Sequence, residues 1–366
     1  PQEASEQQQV LQELLEHQVR AIAFVDRLFN NVSSPVLEDI FTLLDQCVYG
    51  RMYCYGYDWR ELEKIRDSFY RTIVSLFLSC DNDTENSLKD FYRSVALGLI
   101  SQRFSSGQDS HTFSVISLNW DCVLENAFYW CLERLNTTRA DVDYCCYTDA
   151  LKGVQRHTTS IHQKAKDIFY IKVMKLHGSV NWFICPNCNR LYVGLGASGE
   201  LLYEYTLGKK CPTCKNLFIE EGDEQKGPLL EPFIISPTFV KQFDNAHIQM
   251  IWHNAYMDLC RADKVVFIGY SLPEADYHLR TLLKRAIRPE TQIDVVLVKS
   301  DKASRSAKLA PIRHKYASSR YEAFFGGDKN VKLYFGGVKG YFKNQSDISI
   351  DSKINKIREQ YHDILD

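Results

Sequence analysis

The sequence predicts an α/β fold: a mostly parallel sheet covered on both faces, preceded by a helical region and interrupted by a small metal module. Three observations predict it. From Phe113 onward, short apolar runs with strand character alternate with helical stripes. The first hundred residues carry helical periodicity alone. Two cysteine pairs, Cys185-Pro186-Asn187-Cys188 and Cys211-Pro212-Thr213-Cys214, stand at the spacing of a zinc ribbon.

In the helical region, Val10, Leu11, Leu14, Leu15, Val19, Ala21, Ile22 and Val25 form one apolar stripe, expected to face the core. Leu37, Ile40, Phe41 and Leu44 form a second, with Ser33 or Ser34 as its cap. Trp59 to Phe77 and Leu88 to Leu99 read the same way. The pattern changes at Phe113–Ser117, a short strand. Asn119-Trp120-Asp121 follows, and Val123, Leu124, Ala127, Phe128 and Leu132 then return to helical spacing. Further strands are expected at Ile171–Leu176, Phe233–Ile235, Val265–Ile268, Ile293–Val298 and Val331–Phe335. Helices are expected at His247–Cys260 and Ala275–Ala286. In the tail, Ile354, Ile357, Tyr361 and Ile364 share a helical face, which reads as core or as a contact for a partner helix. Lys152 to Lys166 reads as a polar, solvated loop. Runs of consecutive apolar residues fit strands buried on both sides. Ligands of such sheets bind beyond the carboxyl ends of the strands. Three polar clusters stand there: Asn119 with Asp121, His177 with Ser179, and Gly269 with Ser271.

Each cysteine pair forms a knuckle, and four thiolates closing on one zinc leave no open position, so the metal holds structure and performs no chemistry. Eight further cysteines remain. Cys145 and Cys146 are adjacent and poorly placed to bond to each other, and Cys47, Cys54, Cys80, Cys122, Cys131 and Cys260 sit among apolar residues. Free thiols in a reducing, cytoplasmic compartment explain them better than a secreted disulfide framework. A net charge of -2 gives no reason to expect nucleic acid or a membrane surface as a partner. The best apolar run, Thr72 to Cys80, is too short to span a bilayer, and no signal peptide is expected in these residues. The chain opens on Pro1 and not on Met, which points to a cropped or processed polypeptide.

Gly194-Leu195-Gly196-Ala197-Ser198-Gly199 matches the dinucleotide fingerprint literally. That fingerprint works where glycines join a strand to a helix N-terminus. Here they lie between the cysteine pairs and lead into Glu200–Tyr205, which extends like a strand, so a hairpin turn in the ribbon is the better reading.

Four motifs stand in one order. They are Ser117-Leu118-Asn119-Trp120-Asp121 with Glu125 following, Lys175-Leu176-His177-Gly178-Ser179, the paired cysteines, and Phe267-Ile268-Gly269-Tyr270-Ser271-Leu272-Pro273-Glu274-Ala275-Asp276. Together they resemble the sirtuin superfamily, and more narrowly its prokaryotic sirtuin-like branch, whose NAD-consuming domains often serve anti-phage defence. The resemblance covers roughly residues 113–337. It implies a doubly wound, Rossmann-like NAD-binding domain of sirtuin type with an inserted zinc ribbon. The implied organisation is a helical region at 1–110, the first part of the core at 111–180, the ribbon at 181–220, and the second part with a C-terminal helix at 221–366. Carried over by position, the resemblance sets Asn119 beside the nicotinamide ribose, with Asp121 supporting that loop and Ser117 among the cofactor-binding residues. It makes His177 the general base. Gly269 and Ser271 fall in a strand-end turn against phosphate or adenosine ribose. Cys185, Cys188, Cys211 and Cys214 hold zinc. NAD is then the substrate, and the helices are surfaces for a protein partner or a second copy of the chain.

Two departures bear on activity. The glycine turn that clasps pyrophosphate after the family's first strand does not open this chain, whose N-terminal helices resemble the segment after that turn. The expectation is that the turn lies upstream of Pro1. The Phe-Gly-Glu segment that seats acyl-lysine peptides is replaced by Ile234-Ile235-Ser236-Pro237-Thr238. The first expectation is therefore NAD hydrolysis. Protein-lysine deacylation, and NAD or ADP-ribose binding without turnover, are the alternatives.

Overall fold

The structure, a computed structural model, describes residues 2–29, 36–83, 86–107, 113–150, 168–194, 209–214, 227–236, 238, 244–273, 276–297, 310–326, 331–342 and 349–365. Ser33, Ser34, Lys152 to Lys166, the glycines from 196 to 199, residues 200–205, Pro237 and Val298 lie outside them. Backbone proximity groups the chain into two compact units. The first is Pro1–Glu85, Val115–Glu125 and Asp141–Ile251; the second is Asn86–Ser114, Asn126–Ala140 and Trp252–Asp366.

Helices α1 (Gln2–Phe29), α2 (Leu37–Gly50) and α3 (Trp59–Asp83) open the first unit. Phe24, Phe41, Leu44, Leu62 and Phe69 form their core, with Phe24 and Phe69 packed edge-on at 6.3 Å. The expected stripe on α1 is only partly core. Ala21 and Phe24 are buried, whereas Leu15, Val19 and Ile22 are 59%, 64% and 60% exposed. The reason is geometric. A long helix with apolar residues on two opposite faces can present only one of them to α3. The face chosen also carries His17 and Arg20, which bond the Ser68 hydroxyl at 3.0 and 3.1 Å.

Two sheets complete the unit. Strands β1 (Val115–Ser117), β2 (Ala140–Asp143) and β4 (Phe169–Lys175) form one in the order β1-β4-β2, with β1 parallel to β4. Strands β3 (Thr148–Ala150), β5 (Gly178–Ile184), β6 (Leu191–Val193) and β7 (Glu231–Ile234) form the other, in the order β3-β6-β5-β7. Here β5 is antiparallel to both of its neighbours. Between β1 and β2 runs helix α5 (Val123–Leu135), which begins in this unit, and α6 (Ala246–Arg261) leads out of it.

The second unit holds α4 (Asn86–Ser105) and a parallel sheet in the order β10-β9-β8, made of β8 (Lys264–Ile268), β9 (Gln292–Val296) and β10 (Val331–Tyr334). Helices α7 (Tyr277–Ala286), α8 (Ala310–Phe325), α9 (Gly337–Tyr341), α10 (Ile350–Gln360) and α11 (His362–Leu365) accompany it. The central strand β9 is buried from Ile293 to Val296, as a parallel strand flanked on both sides should be. The tail face resolves as core: Ile354, Ile357 and Tyr361 are buried, α10 packs on α4, and Tyr361 meets Phe104 edge-on at 5.5 Å. Among the described residues no helix is long and apolar enough to cross a membrane.

Candidate active site and metal centre

Parallel register sets the site. Ser117, the last residue of β1, is the Cα partner of Lys175, the last of β4, and the Leu176 N–H donates to the Ser117 carbonyl at 3.0 Å. Two residues beyond each end stand Asn119, exposed, and His177, half-buried. Their loops are fastened together. The Val180 N–H donates to the Trp120 carbonyl at 2.9 Å, the Ser179 hydroxyl donates to the same oxygen at 3.1 Å, and the Lys175 ammonium donates to the Asp121 carbonyl. Asp121 turns its side chain to the backbone, where Oδ1 accepts from the Val123 N–H at 3.1 Å and caps the first turn of α5.

The turn after His177 depends on its glycine. Gly178 has φ +72°, and a Cβ there would lie 2.1 Å from the Phe233 carbonyl oxygen. This closeness comes from β7, which pairs Ile234 with Gly178, while the Ile235 N–H donates to the His177 carbonyl at 2.9 Å.

Beneath these loops lies a buried ion pair. Lys175 Nζ is 2.8 Å from Glu125 Oε1, with the side chains 0% and 3% exposed. Burial opposes the charge on Lys175, but Glu125 beside it holds the ammonium above its ordinary pKa. The neighbouring Cys122 thiol, 3.4 Å from the Ser179 hydroxyl, is pushed by burial up to about 12 and stays neutral.

The four cysteines converge as expected, all ligand sulfurs lying within 4.8 Å of one another. The β5–β6 hairpin carries the first pair at its turn, where the Asn189 N–H donates to the Cys185 carbonyl at 2.9 Å and the Cys185 N–H to the Arg190 carbonyl at 3.0 Å. The second pair is held by the Cys211 N–H to the Pro228 carbonyl, 3.0 Å, and the Leu230 N–H to the Lys209 carbonyl, 2.7 Å. Sulfur separations of 3.9 Å (Cys185 to Cys214) and 3.7 Å (Cys188 to Cys211) rule out S–S bonds. A regular tetrahedron of zinc–sulfur bonds near 2.3 Å requires edges of about 3.8 Å, so the set fits zinc. Donors already point at the sulfurs: the Cys214 N–H and the Tyr192 hydroxyl at Cys211, 3.4 and 3.2 Å, and Asn187 Nδ2 at Cys214, 3.4 Å. Burial opposes ionisation of Cys211, but these donors bring its thiol down to about 7. The module's apolar core also takes in Trp120 from the Asn119 loop and Ile234 from β7. None of the other described cysteines is in a disulfide, and Cys47, Cys131, Cys145 and Cys146 are buried; the Cys80 side chain lies outside the described residues.

Gly269 and Ser271 lie in the second unit, just past the carboxyl end of β8. Their turn is built in detail. Gly269 has φ +68° with open space where a side chain would be. Leu272, fully buried, is held at φ +51°, a conformation costing a non-glycine residue about 1 kcal/mol. The Tyr321 hydroxyl donates to the Tyr270 carbonyl at 2.9 Å and Arg320 Nε to the Ser271 carbonyl at 2.8 Å.

Sequence reading missed two buried polar contacts. One is Lys175–Glu125, for which the only signal was a lysine ending an apolar strand. The other joins the segment after β7 to α2. The Ser236 hydroxyl donates to Asp45 Oδ2 at 2.6 Å, Arg66 meets Oδ1 at 3.2 Å, and the Thr238 hydroxyl donates to that of Thr42 at 3.3 Å. Burial raises the Asp45 pKa against the pull of Ser236 and Arg66. With Asp45 and Ser236 separated by 191 positions, no local pattern announces the bond.

No family model and no curated protein matches the chain. Among solved structures, the alignments found include sirtuins. A structure addressing sirtuin substrate affinity aligns at 13% identity and TM-score 0.30, over 72% of this chain and 70% of that one. Sir2 with p53 peptide and NAD+ gives 13% and 0.30 over 72% and 68%. A Sir2 variant with deacetylated p53 peptide and 3'-O-acetyl ADP-ribose gives 12% and 0.31 over 91% and 83%. At those scores the alignments fix neither fold nor activity for this chain.

Proposed function

We propose that this chain is a sirtuin-like NAD-consuming domain, a doubly wound Rossmann-like core with an inserted zinc ribbon, that hydrolyses the nicotinamide–ribose bond. The observation that carries the reading is the fastening of the Asn119 and His177 loops at the ends of two paired parallel strands. Binding sites of parallel sheets form beyond such ends.

The chemistry suits these side chains. Nicotinamide leaves a cationic pyridinium as a neutral molecule, so departure needs little acid assistance. The C1' centre develops oxocarbenium character, as in glycoside cleavage. Water attacks C1', the C1'–N bond breaks with its electrons going to nicotinamide, and the water gives up one proton. The products are ADP-ribose, nicotinamide and H+. Asn119 orients the ribose or the water, and His177 accepts the proton. Ser117 and Asp121 shape the loop; Gly269 and Ser271, in the turn after β8 of the other unit, are proposed as phosphate- or ribose-binding residues. Cys185, Cys188, Cys211 and Cys214 would hold zinc, whose role is to brace this part of the fold.

Hydrolysis is favoured over deacylation by the segment that replaces the peptide-seating motif. Ser236 and Thr238 are both 5% exposed and bonded to α2, so they are unavailable to a peptide. A role as a cytoplasmic anti-phage effector follows if depletion of NAD is the output.

The test is nicotinamide release from NAD by the full protein, followed chromatographically with and without an acetyl-lysine peptide. The expectation is release without peptide, lowered about a hundredfold or more by Asn119→Ala or His177→Ala. Release that strictly requires the peptide would establish a deacylase. Calorimetric binding of NAD without product would establish a sensor.

A further inference from the structure

We propose that the buried Lys175–Glu125 pair is a positioning device for the reaction: it sets the Asn119 loop at a fixed height against His177. The proposal rests on the NAD-cleaving reading for its catalytic half and on geometry alone for its structural half.

Lys175 is the last residue of β4, two before His177, and its ammonium crosses to the neighbouring loop. There it reaches two groups, Glu125 Oε1 at 2.8 Å in the first turn of α5 and the Asp121 carbonyl two residues after Asn119. Both charged side chains are almost wholly withdrawn from water. Such a pair is a poor source of stability, because desolvation of two ions offsets most of their attraction, and an apolar pair of like volume often serves as well. What an apolar pair cannot supply is the directed bond to the Asp121 carbonyl. The adjacent Trp120 carbonyl accepts from the Val180 N–H and the Ser179 hydroxyl. Two successive carbonyls of the Asn119 loop are therefore held by donors on both sides of His177. Lys175 touches no reacting atom in this scheme and acts through the loop.

The experiment compares Lys175→Met/Glu125→Met with the parent protein. Thermal melting reads stability, steady-state NAD hydrolysis reads kcat and KM separately, and hydrogen exchange reads the Val180 amide. A pair that served stability alone would be replaced by the two methionines without loss of turnover. A positioning pair predicts a folded variant with kcat lowered about a hundredfold, KM little changed, and faster Val180 exchange. Parental kcat, or parental protection at Val180, in the folded double variant would overturn the proposal. If the double variant does not fold, Lys175→Met alone, which removes the donor to the Asp121 carbonyl, is read by the same three measurements with the same expected and overturning results. If the parent itself releases no nicotinamide, the functional reading fails, while Val180 exchange still decides whether the pair holds the loop.

Discussion

Tyr192 places one hydroxyl 3.2 Å from Cys211 Sγ and 2.8 Å from Thr213 Oγ1. Its ring is buried in the core of the metal module, so Tyr192→Phe removes a donor and leaves the packing. Groups of this kind around a metal typically change affinity by about ten- to a hundredfold when deleted. That loss is expected for zinc, measured by competition against a chelator of known affinity; unaltered retention would mean that the hydroxyl serves Thr213 alone. Asp294, in β9, is a second residue whose setting has a measurable consequence. Burial works against its charge, but Lys264 at 2.6 Å and the Tyr341 hydroxyl at 2.6 Å hold its carboxyl below the usual carboxylate range. The folded state thus binds the proton less readily than the unfolded chain. Its contribution to stability is complete above about pH 4 and is lost as pH falls through the lowered folded value. Asp294→Asn should therefore flatten the acid limb of stability against pH, read from urea midpoints between about pH 2 and pH 5. An acid limb as steep as the parent's would remove Asp294 from the account.

The turn between β4 and β5 offers a cleaner contrast. Gly178→Ala meets the Phe233 carbonyl at 2.1 Å and carries the strain of φ +72°, whereas Gly326→Ala, at φ +84°, meets nothing within 4 Å. Strain alone costs about 1–2 kcal/mol, so Gly326→Ala should fall in that range. Gly178→Ala should lose about 4 kcal/mol or fail to fold. Equal losses in urea titrations would show that β7 yields freely. The same elements explain what was legible in the sequence. Strands β1, β4, β8, β9 and β10 announced themselves as short apolar runs between helical stripes, and the cysteine knuckles by spacing. Strand β5 did not, although all of Gly178–Ile184 is buried, because Ser179 and Asn181 break its apolar run and Gly178 reads as a turn. The Ser179 hydroxyl donates to the Trp120 carbonyl and Asn181 Nδ2 to the Gly194 carbonyl, while Asn181 Oδ1 stays buried without a hydrogen-bond partner among the described residues. On α1, periodicity found the helix but could not choose between two apolar faces, since that choice belongs to His17, Arg20 and Ser68. Asn119 and His177 were legible as polar residues after strands; the bonds that fasten their loops depend on register, which no single-sequence pattern encodes.

At the scale of the whole molecule, the four cysteines, both β5 pairings and the Asn119–His177 loops belong to one unit, while β8–β10 and the Gly269 turn belong to the other. Zinc binding to such a site is coupled to folding, because the unfolded chain has no preformed ligand set. Removal of zinc should therefore weaken the unit that contains Cys185 and Cys211 far more than the unit built on β9. Calorimetric melting is expected to resolve two transitions, of which a strong chelator moves one downward and leaves the other in place. Cys185→Ser should reproduce the chelator's effect without it. Hydrogen exchange assigns the transitions: amides of Phe183 and Tyr192 should lose protection in the metal-free protein, and those of Ile293 and Val295 should keep it. A single transition that shifts as a whole, with protection lost equally in β5 and β9, would mean that the two units unfold as one cooperative body and that the metal braces the entire chain.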